Sequence, residues 1–353
     1  MAKQVLLEAH NLKNLASGFG VFNHSLLKSF AKMDTPDLDF IVNLKRKNGI
    51  VEEFGNRFQY AHYSELQRLP IFRTKKVYDV WHCMNQNIAV EPFFKQKKYI
   101  LTVHDVNFCE GTSKKDQKRV QLFKDKLKRA DLITYISQFA KDHTHHYFDV
   151  PKIEEKIIFN GNPITELVLT EHFKPIVPLD KPYLYSIGDF LTKKNFISLV
   201  RMMKEIPDMY LIISGNNKKE YGIQVQQEIE NLGLQNRVFL TGRVSDEGKQ
   251  FYIKNALAFV FPSLQEGFGL PPIEAMKFGK PVFLANRASL PEIGGDVAFY
   301  WDDFDPISMK NVLEEGLNTY EVNKEDYQRR LVDRADFFSW DRAALQYLEC
   351  YRS

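Results

Sequence analysis

An α/β fold of two doubly wound, Rossmann-like domains is the fold class that the 353-residue sequence predicts. Three observations carry it. Short apolar runs alternate with helix-length amphipathic segments along almost the whole chain. The alternation pauses in a proline-bearing stretch at 163–182 and then starts again. Hydrophobic residues make up 44% and charged residues 26%, which suits a folded globular chain and not a disordered one.

The first series places strands over 5–8, 38–44, 77–82, 99–103, 132–136 and 156–159, with helices over 21–32 and 114–130 among the segments between them. Runs such as Phe40-Ile-Val42 are apolar without alternation, as strands buried on both faces require. The second series has strands over 183–187, 210–214, 238–241, 258–261 and 282–285, with helices over 195–205, 220–232 and 246–255. A strand that pairs in parallel with the next needs a crossover, and the helical segments supply it. Residues 306–351, rich in Arg, Glu and aromatics, read as closing helices. The expected domains are 1–178 and 179–338, with a C-terminal helix in 339–353 returning to the first domain. In open parallel sheets ligands bind beyond the carboxyl ends of the strands. The expected site is therefore a cleft between the two domains, built from the residues that follow each strand.

Several function classes are excluded at this level. The apolar run 256–261 falls far short of the roughly 20 residues of a membrane span. At the start, Val5-Leu-Leu7 is cut by Glu8, too short for the core of a signal peptide. Cys83, Cys109 and Cys350 are widely spaced and form no C-x-x-C pair, which argues against a disulfide framework or a cysteine zinc site and fits a reducing cytoplasm. Charge is unevenly spread: residues 1–178 hold 27 Lys and Arg against 20 Asp and Glu, and residues 179–353 hold 21 against 25. Either the first half meets an anionic partner or the surface charge is merely uneven. The basic segment from Lys114 to Arg129, with Val120, Phe123 and Leu127 in a helical stripe, fits an anionic lipid surface or a solvated amphipathic helix equally well. No basic patch interleaved with aromatics points to nucleic acid.

The most informative stretch runs Phe261-Pro-Ser-Leu-Gln-Glu266-Gly-Phe-Gly-Leu-Pro-Pro-Ile-Glu274-Ala-Met. A strand ends, a turn with Gly267 and Gly269 follows, and Pro271-Pro272 opens a helix at the positions where missing N–H groups cost nothing. Free backbone N–H groups and the positive end of the helix suit a phosphate, and the flanking carboxylates suit sugar hydroxyls. A tight turn with a dipole-complementing Glu explains the same residues.

This stretch resembles the E-x7-E signature of retaining GT-B glycosyltransferases, specifically glycosyltransferase family 4, with Glu266 and Glu274 as the two acids. Gly279-Lys-Pro-Val282 and Ser289-Leu-Pro-Glu292 match as well, and the likeness extends over nearly the whole chain. The resemblance implies that Glu266 faces the donor sugar and Glu274 holds the ribose hydroxyls. Backbone amides of Gly267, Phe268, Gly269 and Leu270 would hold the sugar and its diphosphate. Gly188-Asp-Phe-Leu-Thr-Lys-Lys-Asn195 resembles the segment whose lysine neutralises the diphosphate; Lys194 takes that place, with Lys193 assisting. Many relatives carry Arg beside that glycine, where this chain has Asp189. Ser17-Gly-Phe-Gly20 resembles the family's glycine loop near donor and acceptor, with Gly18 and Gly20 in register. By the same resemblance His104 is the histidine near the reacting sugar, His82 lies on the acceptor side, and the backbone at Val244 meets the nucleobase. Taken alone, His104 reads first as a core side chain, ahead of a metal ligand or a general base.

The implied activity is transfer of a hexosyl group from a nucleotide-diphospho sugar to a hydroxyl of a glycan or lipid-linked saccharide, with retention of configuration. Mannose from GDP-mannose is the first expectation, and a UDP-sugar the other. A sugar phosphorylase or sugar-phosphate synthase of the same fold, and an inactive sugar-nucleotide-binding subunit, are the alternatives. No cofactor or metal is expected, because Asp303-Phe-Asp305, which fits a metal-binding D-x-D, sits where it caps a helix before Pro306. The expected setting is cytoplasmic, at the inner face of the membrane, with peripheral contact to anionic lipid and no nucleic acid partner.

Overall fold

The computed structural model describes residues 2–15, 17–45, 49–164 and 173–353. They form two compact units, one of residues 1–163 with 339–353 and one of residues 164–338. Each is a parallel sheet flanked by helices.

The first unit begins with β1 (Lys3–Glu8), α1 (Gly18–Lys32), β2 (Leu38–Leu44), α2 (Ile50–Phe54), β3 (Gln59–His62), β4 (Val80–Cys83) and β5 (Lys98–Val103). It continues with α3 (Lys114–Leu127), β6 (Leu132–Tyr135), α4 (Gln138–Tyr147) and β7 (Glu154–Ile157). The second holds β8 (Tyr183–Ile187), α5 (Phe196–Met202), β9 (Tyr210–Ser214), α6 (Glu220–Asn231), β10 (Val238–Gly242), α7 (Asp246–Asn255) and β11 (Ala258–Phe261). It ends with α8 (Leu270–Lys277), β12 (Val282–Ala285), α9 (Leu290–Gly294), β13 (Phe299–Trp301), α10 (Pro306–Val322) and α11 (Lys324–Phe337), after which α12 (Trp340–Arg352) belongs again to the first unit.

Strand order is β3-β2-β1-β4-β5-β6-β7 in one sheet and β10-β9-β8-β11-β12-β13 in the other. Both orders reverse once, between β1 and β4 and between β8 and β11. Helices on the two sides of such a reversal lie on opposite faces, so the loops diverge and leave a crevice at the carboxyl ends. The residues after β8 and β11 meet at one such point, and those after β1 and β4 at the other.

The expected strands are present with three kinds of difference. β4 starts later than the expected 77, because Val77 is exposed and the Tyr78 N–H is taken by the Gln96 side chain at 2.8 Å rather than by a ladder. β7 starts earlier than the expected 156. β3 and β13, both edge strands, were not among the expected ones: Gln-Tyr-Ala-His of β3 is half exposed and has no apolar run, and Phe299-Tyr-Trp301 of β13 is only three residues long. The expected 163–182 linker falls partly outside the described residues; within its described part, Phe173 packs on Phe251 and Tyr252 of the second unit. The stripe on α3 turns inward, with Phe123 and Leu127 buried beside Lys126, whose ammonium is paired with the buried Glu91.

α12 is fastened to the first sheet by a polar stack. Tyr351 and Tyr347 are buried on its inner face. The Tyr351 hydroxyl lies 2.7 Å from His82 Nδ1, and His82 Nε2 lies 2.7 Å from Thr102 Oγ1. Thr102 bonds Thr134 at 2.7 Å, and the Tyr347 hydroxyl reaches both threonines at 3.3 and 3.4 Å. His82, Thr102 and Thr134 come from the adjacent strands β4, β5 and β6. This corrects the acceptor-side reading of His82: its ring is fully buried and both nitrogens are engaged inside the unit. Burial, helped by the charge of His104, pushes its pKa down to about 3.

The buried imidazole gives stability a pH dependence. Unfolding exposes His82 to water, where it takes a proton below about pH 6.5, a proton the folded state refuses until about pH 3. Stability is therefore complete above pH 6.5 and falls as pH drops through that window, by up to about 1.4 kcal/mol per pH unit for this group. Urea titrations at stepped pH should show a shallower acid loss for His82→Gln than for the parent; identical slopes would sink the assignment.

Candidate active site

In the second unit the site is assembled by the loops after β8 and β11. Residues Thr192–Lys194 make one tight turn, and Asn195 follows at φ 51°, a left-handed conformation that asparagine tolerates better than other non-glycine residues. That residue ends the turn and starts α5, which fixes where Lys194 points. Its ammonium is paired with the Glu266 carboxylate and lies 4.8 Å from the centre of the Phe261 ring, the last residue of β11. Ser263 donates to the same carboxylate at 2.7 Å. Leu264 N–H donates to the Lys193 carbonyl at 2.8 Å, joining the two loops directly. Burial alone would push the Glu266 carboxyl up. The charges of Lys194 and Lys193, with the hydrogen bonds from Lys194 and Ser263, outweigh it and hold Glu266 below the usual carboxylate range.

The loop from Gly267 to Leu270 leads into α8. Gly269 sits at φ 126°, open to glycine and strained for any side chain, and an added Cβ there would press on Leu290 Cδ2 at 3.1 Å. The buried Ser289 hydroxyl clamps the loop, bonding the carbonyl of Phe268 and that of Glu266 at 3.0 Å. Phe268 anchors it by burying its ring, 5.5 Å from that of Phe338. With Pro271 and Pro272 at its start, α8 presents few N–H groups of its own.

Glu274, nearly buried on α8, pairs with Lys249 of α7 at 2.9 Å through one oxygen. Burial pushes its carboxyl above the usual range, against the pull of Lys249. Val244 lies half-buried just before Ser245, which caps α7 by accepting from Gly248 N–H at 3.1 Å. Asp189 carries a second ionic group. It pairs with Lys219 at 2.9 Å and lies 3.7 Å from Arg243, so the acid standing where relatives place Arg draws two cations to the same end of the sheet.

The first unit holds the remaining expected residues. Ser17 caps α1, its hydroxyl accepting from Gly20 N–H at 3.1 Å. Gly20 is required by packing, since a Cβ there would lie 2.0 Å from the Asn14 carbonyl oxygen, whereas at Gly18 nothing lies within 4 Å. The ring of Phe19 between them meets His104 edge-on at 4.9 Å, and Phe22 does so at 4.7 Å. His104 Nε2 faces the Met84 carbonyl at 2.9 Å. A carbonyl only accepts, so Nε2 carries the proton and Nδ1 the lone pair. Burial pulls the His104 pKa down to about 4, which keeps the ring neutral.

The structure thus joins Lys193, Lys194 and Glu266 around one carboxylate, and joins His104 to the Gly18–Gly20 turn through Phe19. Sequence reasoning missed Lys249, which looks like any exposed helical lysine, and Arg243 and Lys219, whose relation to Asp189 is purely spatial. Ser263 and Ser289 stood within the quoted motifs but carried no assigned role. Asp305 accepts from Ile307 and Ser308 N–H at 3.0 Å as the cap of α10. Among the described residues no group of three or more His, Cys, Asp or Glu is arranged to hold a metal.

Residues 169–326 match the family model for glycosyl transferases group 1. The chain is 24% identical over 335 residues to the O-antigen chain mannosyltransferase RfbU of Salmonella typhimurium, covering 86% of this chain and 89% of that protein. It is 26% identical over 277 residues to O-antigen chain mannosyltransferase B of Escherichia coli, covering 72% and 70%. Among solved structures it is similar to sucrose-phosphate synthase from Thermosynechococcus elongatus, with a TM-score of 0.73 at 19% identity over 100% of this chain and 98% of that one. The HepE protein of Anabaena, in complex with UDP and glucose, gives a TM-score of 0.70 at 16% identity over 100% and 99%.

The Lys249–Glu274 pair yields a stability prediction. Removing the ammonium leaves a nearly buried carboxylate without its partner, a loss of about 3 kcal/mol by analogy with other buried pairs. Lys249→Ala should lower the urea midpoint accordingly, and Glu274→Gln added to it should recover part of the loss. A double variant no more stable than Lys249→Ala would show that the pair is not the cause.

Proposed function

We propose that this chain, a group 1 glycosyltransferase of GT-B fold, moves a mannosyl group from a nucleotide-diphospho sugar to a hydroxyl of a glycan or lipid-linked saccharide, with retention of configuration. The observation that carries the reading is the Lys194–Glu266 pair at the carboxyl ends of β8 and β11, beside the turn that leads into α8. An ammonium at that position suits a departing diphosphate, whose negative charge grows as the glycosidic bond breaks. When a diphosphate engages Lys194, Glu266 is released from its partner and becomes free to accept hydrogen bonds from sugar hydroxyls. Its ionised state at neutral pH, set by two lysines against burial, fits that role and not that of a proton donor.

Glu274 keeps one oxygen for Lys249, which leaves the other for ribose hydroxyls. Gly267 to Leu270 supply backbone donors to the sugar and phosphates, and Val244 lies at the end of the sheet assigned to the nucleobase. In the first unit the neutral His104, with its lone pair on Nδ1, and the open Gly18 are the candidates for contact with the transferred sugar. No protein nucleophile is assigned: the departing phosphate oxygen takes the acceptor proton on the face from which it leaves, so the configuration is kept. The chemistry asks for no metal, because the diphosphate charge is met by Lys194 and Lys193. The mannosyl assignment and the polysaccharide-type acceptor are supported by the O-antigen mannosyltransferases among the relatives.

Transfer of labelled mannose from GDP-mannose to a lipid-linked saccharide, in a chelating buffer, tests the reading. Lys194→Ala and Glu266→Ala should each reduce the rate at least tenfold, about 1.4 kcal/mol of barrier. Full activity in both would discard the assigned roles. Preference for a UDP-sugar across a donor panel would overturn the mannosyl assignment, and an inverted product would overturn retention.

A further inference from the structure

Among the described residues, seven of the seventeen large hydrophobic side chains that stand exposed are Leu66, Leu69, Ile71, Phe72, Val77, Phe93 and Phe94. All belong to two segments of the first unit, 66–78 and 92–98, which hold seven Lys and Arg and no Asp or Glu. The segments are one surface. Phe93 N–H donates to the Thr74 carbonyl at 2.9 Å, Lys97 N–H to the Tyr78 carbonyl at 3.3 Å, and the Lys75 ammonium lies 5.7 Å from the centre of the Phe93 ring.

The surface is built and not a loose loop. The Ser64 hydroxyl caps the turn Glu65–Arg68 while its own N–H donates to Gln67 Oε1 at 3.3 Å, and Phe72 N–H closes on the Leu69 carbonyl at 3.0 Å. These turns hold Leu66, Leu69, Ile71 and Phe72 outward, at exposures of 50% to 75%. Exposed aromatic and aliphatic tips on a fixed backbone are costly in water and mark a contact surface. Of the seven cations, Arg68 pairs with the flanking Glu65 and Lys97 with the flanking Asp79, whereas Arg73, Lys75, Lys76 and Lys95 pair with no carboxylate among the described residues, so their charge is available to an anionic partner.

We propose that this face docks on a bilayer containing anionic lipid. Apolar tips among unpaired cations match the boundary between headgroups and acyl chains, where long basic side chains lie along apolar surface and reach phosphates with their ends. A second copy of the same face would bring like charge against like charge. The amphipathic α3 does not compete for the role, since its apolar stripe is buried against its own unit. No helix among the described residues is long and apolar enough to cross a membrane, so contact of this kind is interfacial.

Co-sedimentation tests it, with vesicles of phosphatidylcholine alone and of phosphatidylcholine mixed with phosphatidylglycerol, in the absence of sugar nucleotide so that the outcome is separate from the transfer reading. The chain should pellet with the mixed vesicles at low salt and far less at high salt or with phosphatidylcholine alone. Lys75→Glu with Lys76→Glu should weaken binding about tenfold or more, and so should Phe72→Ser with Phe93→Ser, each with an unchanged melting curve because all four side chains are at the surface. Failure to pellet with the mixed vesicles, undiminished binding by both folded variants, or a concentration-dependent dimer that both variants abolish would overturn the proposal.

Discussion

At the point where the second sheet reverses, one ion pair ties together the loops that build the site, beside a backbone bond from Leu264 to Lys193. Strand order turns between β8 and β11, and the loops leaving those strands are joined by Lys194 on one side and Glu266 on the other. Parallel strands place every following loop at the same end of the sheet, and the reversal leaves a crevice there instead of a packed helix. Two nearly buried opposite charges would be expensive apart, so they hold the loops together while nothing else is bound. Asn195 in its left-handed turn, Ser263 on the carboxylate and Ser289 on the glycine turn keep the pair where it is.

Packing separates the two histidines that the resemblance assigned to the reacting sugar and to the acceptor side. His82 lies within β4 and His104 directly follows the adjacent strand β5. The C-terminal helix covers the first, and Tyr351 and Thr102 take both its nitrogens. The second has its Nε2 proton held by a main-chain carbonyl and its ring set against Phe19, next to a glycine with open space beside it. One has become a fastening for α12; the other keeps a lone pair at the end of the sheet. Which histidine took which role depended on where a helix more than two hundred residues away returned.

Surface charge also acquired a location. The excess of basic residues in the first half of the chain is a diffuse fact in the sequence. In the folded unit part of it gathers around exposed Leu, Ile and Phe on two neighbouring segments, while the basic helix that first drew attention buries its apolar stripe. Asp189 is a local instance of the same effect. As a lone substitution for Arg it reads as a lost phosphate contact, yet it collects Lys219 and Arg243 beside it.

The core strands, the crossover helices and the positions of Lys194, Glu266 and Glu274 after strand ends were legible because each depends on residues close together in the chain: apolar runs, glycine turns, prolines at a helix start. Strands β3 and β13 were not, since the first carries no apolar run and the second is only three residues long. Lys249 as the partner of Glu274, Ser289 as the clamp of the glycine turn and Tyr351 as the cover of His82 were hidden for another reason. Those contacts are made by side chains that the chain order keeps apart and that only packing brings within hydrogen-bond reach. Sequence by itself determined the fold class and the local chemistry of the motif loops, because short-range pattern sets both. Tertiary structure decided which polar groups are paired, buried or left free, because desolvation and partner choice arise only when distant segments share one interior.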